Sequence, residues 1–132
     1  MDGTSANLGS ALAINFILNG EARTEASVSP TRTVLEYLRE DEVLTGTKEG
    51  CAEGDCGACS IVMVRNGSDQ VEAVNSCLLT MGQLDGTRVA TVEGLSDRGG
   101  ELEAVQAAIV AEDGTQCGFC TPGFVMALHA LR

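Results

Sequence analysis

The sequence predicts an α+β fold, in which a β-grasp domain is followed by an all-α region. Three observations carry this prediction: apolar alternation around two Asn-Gly pairs, a glycine-rich segment without periodicity, and helical apolar spacing after residue 95. Period two is typical of half-buried strands, whereas spacings of three and four residues indicate amphipathic helices. We therefore expect a disordered leader over residues 1–12, a β-grasp domain over 13–95 and a helical domain over 96–132.

A hairpin and a helix should begin the β-grasp domain. Asn19-Gly20 suits the positive φ angles of a type I′ turn. The strand before it alternates apolar residues at Ile14, Phe16 and Leu18. A helix is predicted to open at Pro30 and Thr31, because the residues that follow bring apolar side chains to one face. These are Val34, Leu35 and Leu38. This face should pack on the hairpin.

A loop, a second hairpin and a short strand should complete the domain. Residues 45–59 carry four glycines without periodicity, so their backbone is expected to approach a bound group closely. Two β-rich runs flank Asn66-Gly67, and a further strand is predicted over residues 87–92. In the second domain, Pro122 behind Thr121 should start one helix. An earlier helix is expected through Leu102, Val105, Ala108 and Ile109.

Four of the six cysteines have the spacing of a plant-type [2Fe-2S] site. Cys51-x4-Cys56-x2-Cys59 would supply three thiolates from one loop, and Cys77 follows after 17 residues. Two irons bridged by two sulfides need four thiolates, and neighbouring glycines let backbone N–H groups approach the sulfurs. The glycines expected to do this are Gly50, Gly54 and Gly57.

The cysteines have other possible uses. Two CxxC pairs, Cys56/Cys59 and Cys117/Cys120, could form a tetrahedral zinc site, although Cys51 and Cys77 would then have no role. A disulfide framework is disfavoured in a reducing compartment. A Rieske centre needs two histidines, and the chain contains only His129, which is expected to be a surface or packing residue.

Charge and hydropathy narrow the class of partner. A net charge of −11 disfavours nucleic acid and anionic lipid, because few cations could replace the phosphate counterions. No apolar window approaches the length of a membrane span. The first basic residue is Arg23, so the N-terminus lacks the positive region of a secretory signal. A cytoplasmic protein with protein or cofactor partners is predicted.

Several sequence segments resemble the iron-sulfur part of the molybdenum hydroxylase family. The matching segments are GTKEGCAEGDCGAC at 46–59, VNSC at 74–77, VEGL at 92–95 and QCGFCTPGF at 116–124. The resemblance covers residues 13–132. TGTKEGC looks most like the xanthine dehydrogenase branch, in particular the N-terminal part of the small subunits of its bacterial members.

The resemblance implies that residues 13–95 are a plant-type ferredoxin β-grasp domain and that residues 96–132 are the N-terminal part of an all-α helical-bundle domain, which is truncated here. In the family that second domain holds another [2Fe-2S] cluster, bound by a CxxC and a later CxC. Cys117 and Cys120 match the CxxC, but the CxC has no counterpart in the twelve residues after Cys120. A second cluster is therefore expected only if two further cysteines are supplied. By the same resemblance, Gln116 should contact the molybdopterin.

The function implied by the resemblance is electron transfer from molybdopterin through [2Fe-2S] clusters to FAD and NAD, with no substrate chemistry in this chain. The expected partners are a molybdopterin-containing large subunit and an FAD-binding domain or subunit. Two alternatives stay open: the small iron-sulfur subunit of an aldehyde, carbon monoxide or N-heterocycle oxidoreductase, and a free-standing ferredoxin. A zinc-binding interaction module is a third, more distant alternative.

Overall fold

The computed structural model describes residues 13–96 and 100–132; the expected disordered leader, and residues 97–99 of the glycine-rich linker, lie outside this range. The described residues form one five-stranded sheet in the order β2-β1-β5-β3-β4. Its strands are β1 (Ile14–Leu18), β2 (Glu21–Glu25), β3 (Ser60–Val64), β4 (Val71–Asn75) and β5 (Arg88–Ala90). The central β1 and β5 are parallel, whereas the other neighbours are antiparallel. The mixed sheet with its helices confirms the α+β prediction.

The two predicted hairpins are present. Asn19 and Gly20, with φ angles of 50° and 82°, form the turn between β1 and β2. Both angles are positive, as a type I′ turn requires. The β3–β4 hairpin contains Gly67 at φ 78°. The expected strand at 87–92 is shorter than predicted, because a 3₁₀ helix (Val92–Gly94) follows β5 closely.

The first helix begins later than the sequence predicted. α1 (Val34–Glu36) has Thr33 as its N-cap, and it continues as a π-helix (Tyr37–Asp41). The start at Pro30 and Thr31 is wrong because Thr33 is extended, at φ −70° and ψ 147°, and forms a β-bridge with Thr80. Tertiary pairing therefore keeps this segment out of the helix.

The main core lies between α1 and one face of the sheet. Phe16 on β1 packs edge-on against Tyr37, with ring centroids 6.0 Å apart. Such a pair adds a favourable quadrupole contact to the burial of both rings. The remaining core residues are Ile14, Leu18, Val34, Leu38, Ile61, Met63, Leu79, Met81, Leu84 and Val89. Met81 and Leu84 belong to a 3₁₀ helix (Met81–Leu84).

Two further helices follow the sheet domain: α2 (Ala104–Ala111) and α3 (Thr121–Leu131). α3 packs on β3, which explains why Val62 is buried although its neighbours Ile61 and Met63 point to the opposite face. One sequence expectation needs correction: Leu102 precedes α2, whose N-cap Glu103 accepts a hydrogen bond from the Val105 N–H. α3 begins at Thr121, after the N-cap Cys120, and Pro122 lies in its first turn as predicted.

An apolar groove of about 670 Å³ lies between α2 and α3. Its lining includes Val105, Ile109, Phe124, Leu128 and Leu131. α2 has no buried residue, in contrast to α3, where Val125 and Met126 are buried. None of the helices formed by the described residues is long and apolar enough to cross a membrane.

Candidate metal centre

The loop between α1 and β3 forms a hydrogen-bonded nest around two of the predicted ligands. The Cys51 Sγ accepts backbone N–H bonds from Glu53, Asp55 and Cys56, at 3.4, 3.2 and 3.2 Å. The Cys56 Sγ accepts from the N–H groups of Cys51 and Ala58, both at 3.4 Å. Donors directed at sulfur favour the thiolate, which is the form that binds metal.

The nest depends on left-handed backbone conformations. Ala52, Gly54 and Gly57 have φ angles of 55°, 82° and 73°. These angles turn successive N–H groups toward the sulfurs, as in other anion-binding nests. The Asn75 side chain fixes the loop from outside, because its amide donates to the Gly54 carbonyl at 3.2 Å.

The other two predicted ligands lie on the sheet side of the loop. Cys59 immediately precedes β3 and Cys77 closely follows β4, and the antiparallel pairing of these strands brings the two cysteines together. Both are buried and cluster with Leu35 of α1. Ser76 anchors the pair, because its N–H and hydroxyl donate to the Cys59 carbonyl at 3.3 and 2.7 Å.

The two sides of the site differ in electrostatics. Backbone N–H donation, led by that of Cys56, lowers the pKa of Cys51 to about 7. Burial, followed by the neighbouring Cys59, raises the pKa of Cys77 to about 11. The Cys51 side therefore favours a thiolate before any cation binds, whereas the Cys77 side favours a thiolate only when a cation compensates for burial.

The four predicted ligands form two pairs. Cys51 is paired with Cys56, and Cys59 with Cys77. Within residues 13–96 and 100–132, no three Cys, His, Asp or Glu side chains surround a single ion position. Each iron of a [2Fe-2S] cluster takes two thiolates, so two pairs are the required donor set. A zinc site would instead need four thiolates around one ion. For the alternative raised from the sequence, these would be the thiolates of Cys56, Cys59, Cys117 and Cys120.

The three predicted glycines have different structural reasons to lack a side chain. A Cβ on Gly50 would lie 2.7 Å from the Cys56 Sγ. A Cβ on Gly54 would overlap the Leu78 side chain. Gly57 has free space, with the Ser60 Oγ 3.6 Å from a Cβ position, so its positive φ is the constraint.

The remaining predicted residues lie on the second domain's side. Gln116, Cys117 and Cys120 are exposed in the loop before α3. Phe119, between the two cysteines, lies beside Gly50, since its Cε1 is 3.6 Å from a Cβ placed there. The loop of the CxxC therefore touches the loop of the first site, although the sequence could not show this contact.

The ferredoxin-like sheet and its cysteine nest together place the chain in the class of [2Fe-2S] proteins. In agreement, the family described as 2Fe-2S iron-sulfur cluster binding domain matches residues 16–81. The family described as [2Fe-2S] binding domain matches residues 91–132.

Individual relatives identify the wider family. The chain is 44% identical over 120 residues to the xanthine dehydrogenase of Drosophila pseudoobscura pseudoobscura and to aldehyde oxidase 1 of Rattus norvegicus. Each match covers 88% of this chain and 9% of the relative. The chain thus spans about 9% of the length of these curated relatives.

Solved structures agree with the sequence relatives. Quinoline 2-oxidoreductase from Pseudomonas putida 86 superposes with a TM-score of 0.77 at 36% identity, over 90% of this chain and 68% of that one. Aldehyde oxidoreductase from Desulfovibrio desulfuricans ATCC 27774 gives 0.77 at 35% identity, over 90% of this chain and 12% of that one. The chain belongs to the molybdenum hydroxylase family, of which it is the 2Fe-2S electron-transfer part.

Proposed function

We propose that the chain holds a [2Fe-2S] cluster on Cys51, Cys56, Cys59 and Cys77 and passes electrons within a xanthine dehydrogenase-like enzyme. The observation that carries the ligand assignment is the set of backbone N–H groups directed at the sulfurs of Cys51 and Cys56. Left-handed angles at Ala52, Gly54 and Gly57 direct five N–H donors at two sulfurs, an arrangement that suits metal-bound thiolates.

The residues around the site fit a cluster that accepts and returns one electron when bound. The N–H groups that donate to the sulfurs of Cys51 and Cys56 would stabilise the added negative charge of a reduced cluster through charge-assisted hydrogen bonds. Burial of Cys59 and Cys77 keeps water from that side. Leu78, itself 59% exposed, lies over Gly54 and covers the loop from the outside.

The ligand assignment is tested by a matched pair of cysteine variants. We expect Cys56→Ser to lose most of the visible absorption and iron of the purified protein, because a core ligand of one iron is removed. Cys117→Ser is the control, and it should keep the iron bound at the first site. Full iron content in Cys56→Ser, or equal loss in both variants, would reject the assignment.

The second domain is proposed to supply half of another cluster. Cys117 and Cys120 would be two of its ligands, and the four other cysteines are already assigned, so two thiolates would have to come from outside this sequence. Gln116 beside them is proposed to contact molybdopterin in a large partner subunit. The flavin-binding domain or subunit would take electrons from the first site. A cytoplasmic location belongs to the same proposal, since the thiols must stay reduced for assembly.

The substrate of the complete enzyme is proposed to be a purine, on the basis of the TGTKEGC segment at residues 45–51. Aldehyde oxidase is the second candidate, because aldehyde oxidase 1 of Rattus norvegicus is as similar to this chain as the fly xanthine dehydrogenase. Turnover of the purified complex with xanthine, but not with aldehydes, would support the first candidate. The reverse preference would support the second.

A further inference from the structure

The first turn of α3 lies directly against the cluster loop. Gly123 is buried there, and a Cβ added to it would overlap the Gly57 carbonyl oxygen. The same Cβ would be 3.1 Å from the Gly57 carbonyl carbon and 3.2 Å from the Ala58 Cα. These are backbone atoms of the short segment between Cys56 and Cys59. Only glycine allows the helix to approach this segment so closely.

The cluster loop cannot easily move away from a larger side chain. The Gly57 carbonyl oxygen accepts hydrogen bonds from the Ser60 N–H at 3.1 Å and the Ser60 hydroxyl at 2.7 Å. The Ala58 carbonyl accepts from the Lys48 N–H at 3.1 Å. A displacement of this segment would weaken these bonds, and it would also disturb the Ala58 N–H that donates to the Cys56 Sγ.

We propose that Gly123 is a positioning residue for the first cluster: its backbone contact with Gly57 and Ala58 holds the N–H donors and the thiolates of Cys56 and Cys59 in binding geometry. The inference rests on the proposed function, because it assumes the same ligands. It adds that part of the cluster's environment comes from a helix outside the ferredoxin-type domain. The second point of contact, Phe119 beside Gly50, lies at the other end of the loop.

Gly123→Ala tests this role, with Gly114→Ala as the matched control. Gly114 is also in the second domain, but the three atoms nearest to its Cβ position all belong to Ile109, at 3.4 Å or more. Replacement of glycine by alanine in a helix normally favours the helix, so a loss in Gly123→Ala would oppose the intrinsic propensity. We expect iron release to a chelator to become about tenfold faster in Gly123→Ala, as for other overpacked contacts that raise local opening.

The visible circular dichroism of the bound cluster supplies a readout that simple loss of helix packing would not change. It should differ from wild type in Gly123→Ala and remain unchanged in Gly114→Ala. An unchanged spectrum and iron release rate, with only a lower unfolding temperature, would overturn the inference. A wild-type protein that binds no cluster would instead contradict the proposed function, so the two failures are distinguishable.

If Gly123→Ala does not fold, hydrogen exchange of the wild-type protein tests the contact between α3 and the cluster loop. The Ser60 amide reports on the Gly57 contact, and the Phe124 amide, bonded to the Cys120 carbonyl at 3.2 Å, reports on the first turn of α3. We expect the two amides to be protected to the same degree, because one opening exposes both. Protection of Ser60 beside rapid exchange of Phe124 would overturn the inference.

Discussion

Single residues set the geometry of the cysteine nest, and the glycines illustrate how. Gly50 leaves room for the sulfur of Cys56, whereas Gly57 supplies a left-handed angle in an otherwise open position. A side chain at Gly50 would therefore act by direct overlap. A side chain at Gly57 would act through backbone strain.

Gly57→Val should hinder cluster assembly without touching a ligand. A β-branched residue at φ 73° costs about 1–3 kcal/mol, and relaxation of that strain would turn the N–H groups away from the sulfurs. The measurement is the ratio of iron to protein after reconstitution. Gly67→Val is the control, because Gly67 has φ 78° and open space but lies in the β3–β4 turn. The prediction fails if both variants lose stability equally and both load iron fully.

At the scale of single residues, the sequence predicted contacts within the site only between residues that are close in the chain. The spacing of Cys51, Cys56 and Cys59 predicted that one loop supplies all three, and in that loop Cys51 and Cys56 each donate a backbone N–H to the sulfur of the other. The contacts of Asn75 with Gly54 and of Gly123 with Gly57 span many residues. They depend on how strands and helices pack, which no local pattern specifies.

Elements are joined by a charged network between β2 and the end of the π-helix. The Arg23 guanidinium binds the Glu42 carboxylate at 3.0 and 3.2 Å, and both side chains are mostly shielded from water. The Tyr37 hydroxyl is 2.5 Å from Glu42 and 2.7 Å from Glu25. Hydrogen bonding by Arg23 holds the pKa of Glu42 below its usual value. Burial, followed by the carboxylate of Glu42, raises the pKa of Tyr37.

Glu42→Gln should lower the free energy of unfolding by about 1–2 kcal/mol at pH 7, because the ion pair with Arg23 becomes a weaker hydrogen bond between the guanidinium and a neutral amide. A carboxyl whose pKa is depressed in the folded state stabilises fully above its unfolded pKa, about 4.5. That contribution is lost as pH falls through the folded pKa. Urea unfolding from pH 7 down to pH 4 should therefore show a difference between the proteins that shrinks only below about 4.5.

Asp69→Asn is the control for this experiment, since Asp69 is exposed in the β3–β4 turn and its replacement should change stability by less than about 0.5 kcal/mol. A Glu42→Gln effect no larger than the control effect would show that the network does not stabilise the junction. A difference that grows toward acid pH would contradict the sign of the pKa argument.

Element boundaries show what periodicity can and cannot determine. Val34, Leu35 and Leu38 are all buried, as the predicted apolar face of α1 requires, but Leu35 packs with Cys59 and Cys77 and not in the core with the hairpin. The start of α1 was misplaced, because the bridge between Thr33 and Thr80 is a tertiary contact. The predicted hairpin turn at Asn19-Gly20 was correct, since the positive φ angles are a local property of those residues.

Across the whole molecule, α3 joins the second domain to the sheet domain. The SIVMV run of β3 is apolar without alternation, which is typical of a strand buried on both faces. Val125 and Met126 of α3 cover the face of β3 that points away from the main core, and Gly123 lets the helix approach the cluster loop. The sequence predicted these helices from spacing, but it could not show which strand they cover, because that depends on the order of strands in the sheet.

The most direct test of the central claim is a reductive titration of the purified chain, combined with iron and acid-labile sulfide analysis. The double variant Cys117→Ser and Cys120→Ser should be used alongside the wild type, so that only the first site can contribute. We predict about two irons, two sulfides and one accepted electron per chain, with a low-temperature paramagnetic signal on reduction. One iron without sulfide, or zinc without visible absorption, would contradict the claim that Cys51, Cys56, Cys59 and Cys77 hold an electron-carrying [2Fe-2S] cluster.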